Sequence, residues 1–247
     1  MKELFLAWRE PVKREWIVVG KLWQKENKYY FGYTKGVKKA KESGNFNEFG
    51  VMQDIDKIYV SNELFPIFKN RILNRSRPEY SQYIKWLGFE NKEVSPLDEL
   101  SRTNGLRATD SLQIFEKPKP KDGKFIIYFF SHGIRHLPKT YQERIEHLKE
   151  NERLYIAKDV QNEFDKYALL LRTADPVEIV GYIPRFYTKD INKLLELNGN
   201  KEVKVSIEKI NLNAPKQFQL LCKLETKWSK EFKSCNDEEF ELIVKDK

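Results

Sequence analysis

The sequence predicts an α+β protein, a small N-terminal sheet-plus-helices domain followed by a C-terminal β-barrel with two helices. Three observations carry this. Two short runs rich in β-branched and aromatic residues precede a segment whose apolar residues fall at helical spacing. The stretch EKPKPKDGK at 116–124 has two prolines, a glycine and alternating charge, cannot build a core, and divides the chain. Beyond it come five or six short strand-like runs and two helical ones, the make-up of a small barrel. The expected boundaries are a first domain at 1–116, a linker at 117–123 and a second domain at 124–247.

In the first domain, WIVVGKLW and KYYFGY read as the two strands of an antiparallel hairpin joined by polar QKEN. KGVKKAKESG carries four lysines and one glutamate and reads as a solvated loop or helix face, or as a phosphate contact. Phe65, Phe68, Ile72 and Leu73, then Tyr80, Tyr83, Ile84 and Leu87, mark two helices. Pro78 separates them because proline is tolerated in a first helical turn and not inside a helix, and Gly88 suits the end of the second. Ser95, with Asp98 three residues on, caps a further helix. KNRILNRSR at 69–77 holds four basic residues and no acid; it is either a solvated helix or a phosphate-contacting surface.

In the second domain, FIIYFFSHGIRHL is a strand running into a turn, and KTYQERIEHLKE is a helix. RLYIAKD, YALLLRT and VEIVGYIPR are strands, with the polar loop VQNEFDK between the first two. YTKDINKLLELNG is a helix closed by Gly199, and KEVKVSIEKI and QFQLLCKLET are strands. The tail NDEEFELIVKDK is polar and shows no clear period.

The 247 residues include 40% hydrophobic and 13% aromatic side chains, enough to bury a core. A formal charge of +8 favours a polyanion, nucleic acid before a membrane surface, although lysine-rich composition also serves solubility. Residues 124–247 hold 22 Lys+Arg and 20 Asp+Glu, and the first 123 hold 23 and 17, so charge alone points to the N-terminal half. Two separated cysteines, Cys222 and Cys235, make neither a disulfide framework nor a zinc site and fit a reducing cytoplasm. The start reads as no signal peptide, and no apolar run approaches the ~20 residues of a membrane span.

The chemistry-bearing residues concentrate after the linker. His132 and His136 are four apart, but Gly133 and Pro138 break the helix that would align them as metal ligands, and no third ligand accompanies them. No nucleophile elbow, P-loop or dinucleotide fingerprint occurs. Asp159 and Asp165 bracket one loop; they could hold Mg²⁺ or simply hydrogen-bond the turn. No cofactor, metal or catalytic residue is expected.

In order and at suitable spacing, GIR (133–135), DVQNEFDKYALLL (159–171) and GYIPR (181–185) resemble the HIRAN domain. That module occurs in helicase-like transcription factor and related SWI/SNF-type repair ATPases, and stand-alone in bacteria. The resemblance covers about residues 124–225. It implies an OB-like barrel that grips the 3′ end of single-stranded DNA without catalysis. It carries DNA-binding roles onto Arg135, His136, Asp159, Gln161, Asn162, Phe164, Asp165, Lys166, Tyr182 and Arg185. A carboxylate such as Asp165 can accept the proton of a 3′-hydroxyl and an amide such as Asn162 can pair with the hydroxyl or a base edge. A 3′-phosphate would meet that carboxylate's charge. Phe164 can stack a base, Arg135 and Arg185 can hold phosphates, and His136 stands where a relative has a stacking aromatic. Gln161 replaces an asparagine and Phe164 a tyrosine, and Val160 and Glu163 occupy positions that proline takes. The alternative is that Asp159, Asn162 and Asp165 only bond their own loop while Phe164 fills the core.

Upstream, WIVVGKLW…YYFGY followed by LFPIF…RSRPEY, with ELSRTNGLRATD, resembles the N-terminal subdomain of HipA-type kinases, with no kinase core after it. This implies a second kind of function, an antitoxin-like subunit that docks a HipA-type kinase or another operon partner.

Overall fold

The computed structural model describes residues 2–90 and 92–244. The last three residues of the polar tail lie outside the described residues. The chain divides into two compact units whose segments interleave: residues up to 77, 93–117 and from 235 onward form the first, and 78–92 with 118–234 form the second.

The first unit is built on a five-stranded antiparallel sheet. Strand β1 (Glu3–Arg9) is followed by the hairpin β2 (Trp16–Lys25) and β3 (Lys28–Tyr33), then helix α1 (Gly36–Glu42), β4 (Ile58–Ser61) and the single turn α2 (Pro66–Lys69). Of the two helices that follow, α3 (Tyr80–Trp86) belongs to the second unit and α4 (Pro96–Thr103) to the first, where β5 (Leu112–Glu116) completes the sheet in the order β4-β3-β2-β1-β5. The hairpin forms as expected, with a tighter turn: Lys25 pairs with Lys28, and Glu26 and Asn27 both take positive φ, as a two-residue type I′ turn requires. Ser95 and Asp98 form a reciprocal capping box at α4. One sheet face, with Leu4, Leu6, Val19 and Phe31, packs on Val37, Phe68, Leu97 and Leu100.

The basic segment 69–77 is not a helix, because α2 ends at Lys69. Arg71 is instead a buried anchor. Its guanidinium grips Asp110 at 3.1 and 2.6 Å and donates to the carbonyls of Ile67 and Gly105. Lys69 pairs with Glu63, and Arg75 donates to the Val94 carbonyl. On α1 and beside it, Lys35, Lys39 and Lys41 are all ion-paired. These cations are spent on internal partners, which removes the phosphate-surface alternative for Arg71.

The second unit is a six-stranded antiparallel sheet of β6 (Lys124–Phe130), β7 (Arg153–Lys158), β8 (Leu169–Arg172), β9 (Ile179–Tyr182), β10 (Lys204–Ile210) and β11 (Leu220–Lys227), ordered β6-β11-β10-β7-β8-β9. Just past β6, the backbones of His132 and Tyr182 exchange two hydrogen bonds of 2.9 Å. The two edges thereby meet and the sheet closes as a small barrel, the OB-like form expected. Its interior takes the alternate residues Phe125, Phe129, Leu154, Leu171, Val205, Ile207 and Leu224, all buried. Helices α5 (Lys139–Arg144) and α6 (Arg185–Asn198) are the two expected, and Gly199 ends the second.

The division into units also reassigns the charge. The second unit holds 24 Lys+Arg and 18 Asp+Glu; the totals of 45 and 37 leave 21 and 19 for the first. The barrel unit therefore carries +6 and the other +2, the reverse of the split at residue 123.

Candidate functional site

Barrel closure brings the turn after β6, the end of β9 and the loop between β7 and β8 to one rim. Closure depends on glycine. Gly181 has φ +126°, and a Cβ there would lie 2.0 Å from Ser131 Oγ and 2.7 Å from the His132 carbonyl. Ser131 Oγ donates instead to the Val180 carbonyl at 2.9 Å. Gly133, at φ +79°, then turns the chain into a 3₁₀ turn, Ile134–His136. Ile134 is buried beneath that turn while Arg135 and His136 are exposed on it. Arg135 Nε donates to His136 Nε2 at 3.0 Å, which fixes that nitrogen as the acceptor. His132 has no such exposure; burial holds its imidazole down to about 4.

The loop of residues 159–168 is organised by its own polar side chains. Asn162 Oδ1 accepts the N–H groups of Phe164 and Asp165 at 3.1 and 3.0 Å, and its Nδ2 donates to Asp159 Oδ2 at 3.1 Å. Tyr182 donates its phenol to the same Asp159 oxygen at 3.0 Å; partial burial and the neighbouring carboxylate push the Tyr182 pKa up. Asp165 Oδ1 accepts the N–H of Tyr167 at 2.9 Å. Thr188 Oγ1 lies 3.2 Å from Asp165 Oδ2 and 2.8 Å from the Arg185 carbonyl. One hydroxyl proton serves only one of these acceptors, and the shorter contact leaves Asp165 Oδ2 able to accept another donor.

From the start of α6 and its middle, Arg185 donates to the Phe164 carbonyl at 3.0 Å and Asn192 to the Tyr167 carbonyl at 3.1 Å, so the helix clamps the loop. The Phe164 ring, 71% exposed, is held out from this frame. The alternative set out from the sequence is thus divided by the structure. Asp159, Asn162 and Asp165 do bond their own loop, but Phe164 does not fill the core.

Six of the ten expected residues, Asp159, Asn162, Phe164, Asp165, Tyr182 and Arg185, join one hydrogen-bonded frame. Gln161 and Lys166 are exposed on the same loop, with Lys166 Nζ 5.0 Å from the Tyr167 ring centre. Arg135 and His136 stand on the neighbouring turn, next to the strand end that carries Tyr182. Thr188 and Asn192 were not anticipated. Their signal was their i, i+4 spacing on a helix whose other buried positions are largely apolar.

The rim of this barrel thus presents an exposed ring, a carboxylate oxygen and the cations Arg135, Lys166 and Arg185. Residues 124–229, which lie within the second unit, match the model of the HIRAN domain. Two solved structures are similar. One is a Lactobacillus plantarum protein, 14% identical, with 42% of this chain and 97% of that chain covered and a TM-score of 0.31. The other is the HIRAN domain of human HLTF, 15% identical, with 42% and 74% covered and a TM-score of 0.30. No curated protein matches the chain significantly. The family match ends short of the first unit's strands, so the HipA-type resemblance there rests on its sequence pieces alone. Among the described residues, no helix is long and apolar enough to cross a membrane, and no group of three or more His, Cys, Asp or Glu side chains is placed to hold a metal.

Proposed function

We propose that the barrel unit binds DNA without catalysis and holds the 3′-hydroxyl end of a single strand at the rim formed by the 159–168 loop, Tyr182 and the 133–136 turn. The observation that carries this reading is Phe164, an aromatic ring 71% exposed yet fixed by hydrogen bonds to its backbone on both sides. A largely exposed phenylalanine adds little to the core, whereas a fixed and exposed ring is a stacking surface for a base.

Beside it, Asp165 Oδ2 can accept a terminal hydroxyl proton and would repel a terminal phosphate. Asn162 acts here as the loop's frame, its carbonyl already shared between two amides. Arg135, His136, Lys166 and the outward N–H groups of Arg185 supply phosphate donors around the ring. The +6 of this unit supports a polyanionic ligand.

The test is Phe164→Ala in fluorescence anisotropy with a labelled single-stranded oligonucleotide. An exposed ring contributes little to folding, so stability should change by less than ~0.5 kcal/mol. Loss of stacking should weaken binding by about 1–3 kcal/mol, roughly five- to a hundredfold. Unchanged affinity with the fold intact would remove the pocket from Phe164.

A further inference from the structure

The rim does not end the surface that nucleic acid could use. On the outer face of the barrel, below the loop, Tyr155 of β7 is directly paired with Arg172 of β8. The guanidinium carbons of Arg153 and Arg172 each stand 5.2 Å from the Tyr155 ring centre. Arg153 and Tyr155 are exposed. Close in sequence to this group, Glu152 and Glu178 are both ion-paired with Arg144. Among the described residues neither Arg153 nor Arg172 meets a carboxylate within ion-pair distance; Arg172 donates only to the Thr173 carbonyl. Two like charges are thus gathered on one ring with no anion between them.

Register places this cluster on the same face as the rim. Tyr155 pairs with Arg172, Ala157 with Leu170, and Leu170 with Tyr182, whose phenol reaches Asp159. Side chains directly opposite in adjacent strands share a face. The row Ala157–Leu170–Tyr182 is half-buried and carries no charge, and forms a floor between the loop above and the arginines below. Tyr155 lies four residues before Asp159, which follows the end of β7, about 13 Å at the strand rise of ~3.3 Å.

From this, and resting on the end-pocket reading above, we infer that Arg153 and Arg172 form a phosphate clamp for the internal nucleotides of the strand whose 3′ end sits at the rim. Tyr155 orients both guanidiniums, so less side-chain freedom is lost when phosphates bind. The clamp reads no base, because its partners are backbone phosphates. OB-type folds bind about 4–16 nucleotides, more than a terminal pocket alone can cover.

The experiment compares wild type with Arg153→Gln/Arg172→Gln, using oligonucleotides from two to twelve nucleotides with a 3′-hydroxyl or a 3′-phosphate, at several salt concentrations. The clamp predicts that wild-type affinity rises with length until the strand reaches the arginines and then levels. The double variant should match wild type on the dinucleotide, lose about tenfold on the longest oligonucleotide, and keep the same preference between the two ends. Its salt slope should fall by about 1.4, at ~0.7 per phosphate contact on single strands. Equal loss at every length, or an unchanged slope, would overturn the clamp. If wild type shows no end preference but the variant still lowers the slope, the pocket fails and the clamp stands as a backbone site. No binding of any oligonucleotide by wild type would overturn both.

Discussion

The loop that holds Phe164 depends on one amide, and Asn162→Ala isolates it. The substitution removes the acceptor of two backbone N–H groups, Phe164 at 3.1 Å and Asp165 at 3.0 Å, together with the Nδ2 bond to Asp159. At a net ~0.5–1.5 kcal/mol for each bond to the backbone, closed-loop stability falls by about 1–3 kcal/mol. Local opening becomes roughly five- to a hundredfold more frequent, since 1.4 kcal/mol is a factor of ten. The assay is amide hydrogen exchange, read at Phe164 and Asp165 against the barrel amides of Ile207 and Leu224. Faster exchange confined to the loop is expected, with DNA affinity lost because the ring is no longer held out. Asn162→Asp keeps the Oδ1 acceptor and should retain most of the protection at Phe164 and Asp165, while its added charge meets Asp159. Unchanged exchange at both amides in Asn162→Ala would refute the assignment of Asn162 as the loop's frame.

Two further outcomes test the fold beneath the site. His132 is held neutral by burial, with a folded pKa of about 4 against 6.5 for the free side chain. The unfolded chain therefore takes the proton first; the stabilisation is full above pH 6.5 and is lost as pH falls towards 4, a total of ~3 kcal/mol over roughly 2.5 pH units. Urea unfolding between pH 7 and 4 should show this as a difference in slope between wild type and His132→Gln, and parallel curves would remove it. Arg71→Ala should cost about 1–3 kcal/mol, because the carbonyls of Ile67 and Gly105 lose their buried donor, and should leave the salt dependence of DNA binding unchanged. A weakened salt slope with full stability would return Arg71 to the phosphate-binding surface.

The sequence was most legible where a strand has one buried and one open face. In β6, β7 and β10 buried and open positions largely alternate, and the period of two is plain. Strand β1 was missed because Leu4, Phe5, Leu6 and Ala7 are all buried, which erases the alternation. The short strand β4 is half-exposed along its four residues and gives too weak a pattern. Segment 78–92 reads as a helix from its own spacing, but its membership of the barrel unit is set by long-range packing that no local pattern carries.

At the site, the residue types of the loop and the glycines of the closure were visible in order along the chain. The division of labour among them was not. Whether Asn162 faces a ligand or its own backbone depends on a turn geometry, and the partner of Arg71 lies 39 residues away. The tilt of net charge towards the N-terminal half was likewise an effect of cutting a chain whose units interleave.

The most direct measurement is anisotropy of one single-stranded sequence carrying either a 3′-hydroxyl or a 3′-phosphate, titrated with the full chain at two salt concentrations. A terminal hydroxyl that donates to Asp165 gains a charge-assisted bond of about 1.5–3 kcal/mol, so the hydroxyl end should bind at least about tenfold more tightly at both salts. Equal affinities with the same steep salt dependence would contradict the end pocket and leave only the basic surface of the barrel.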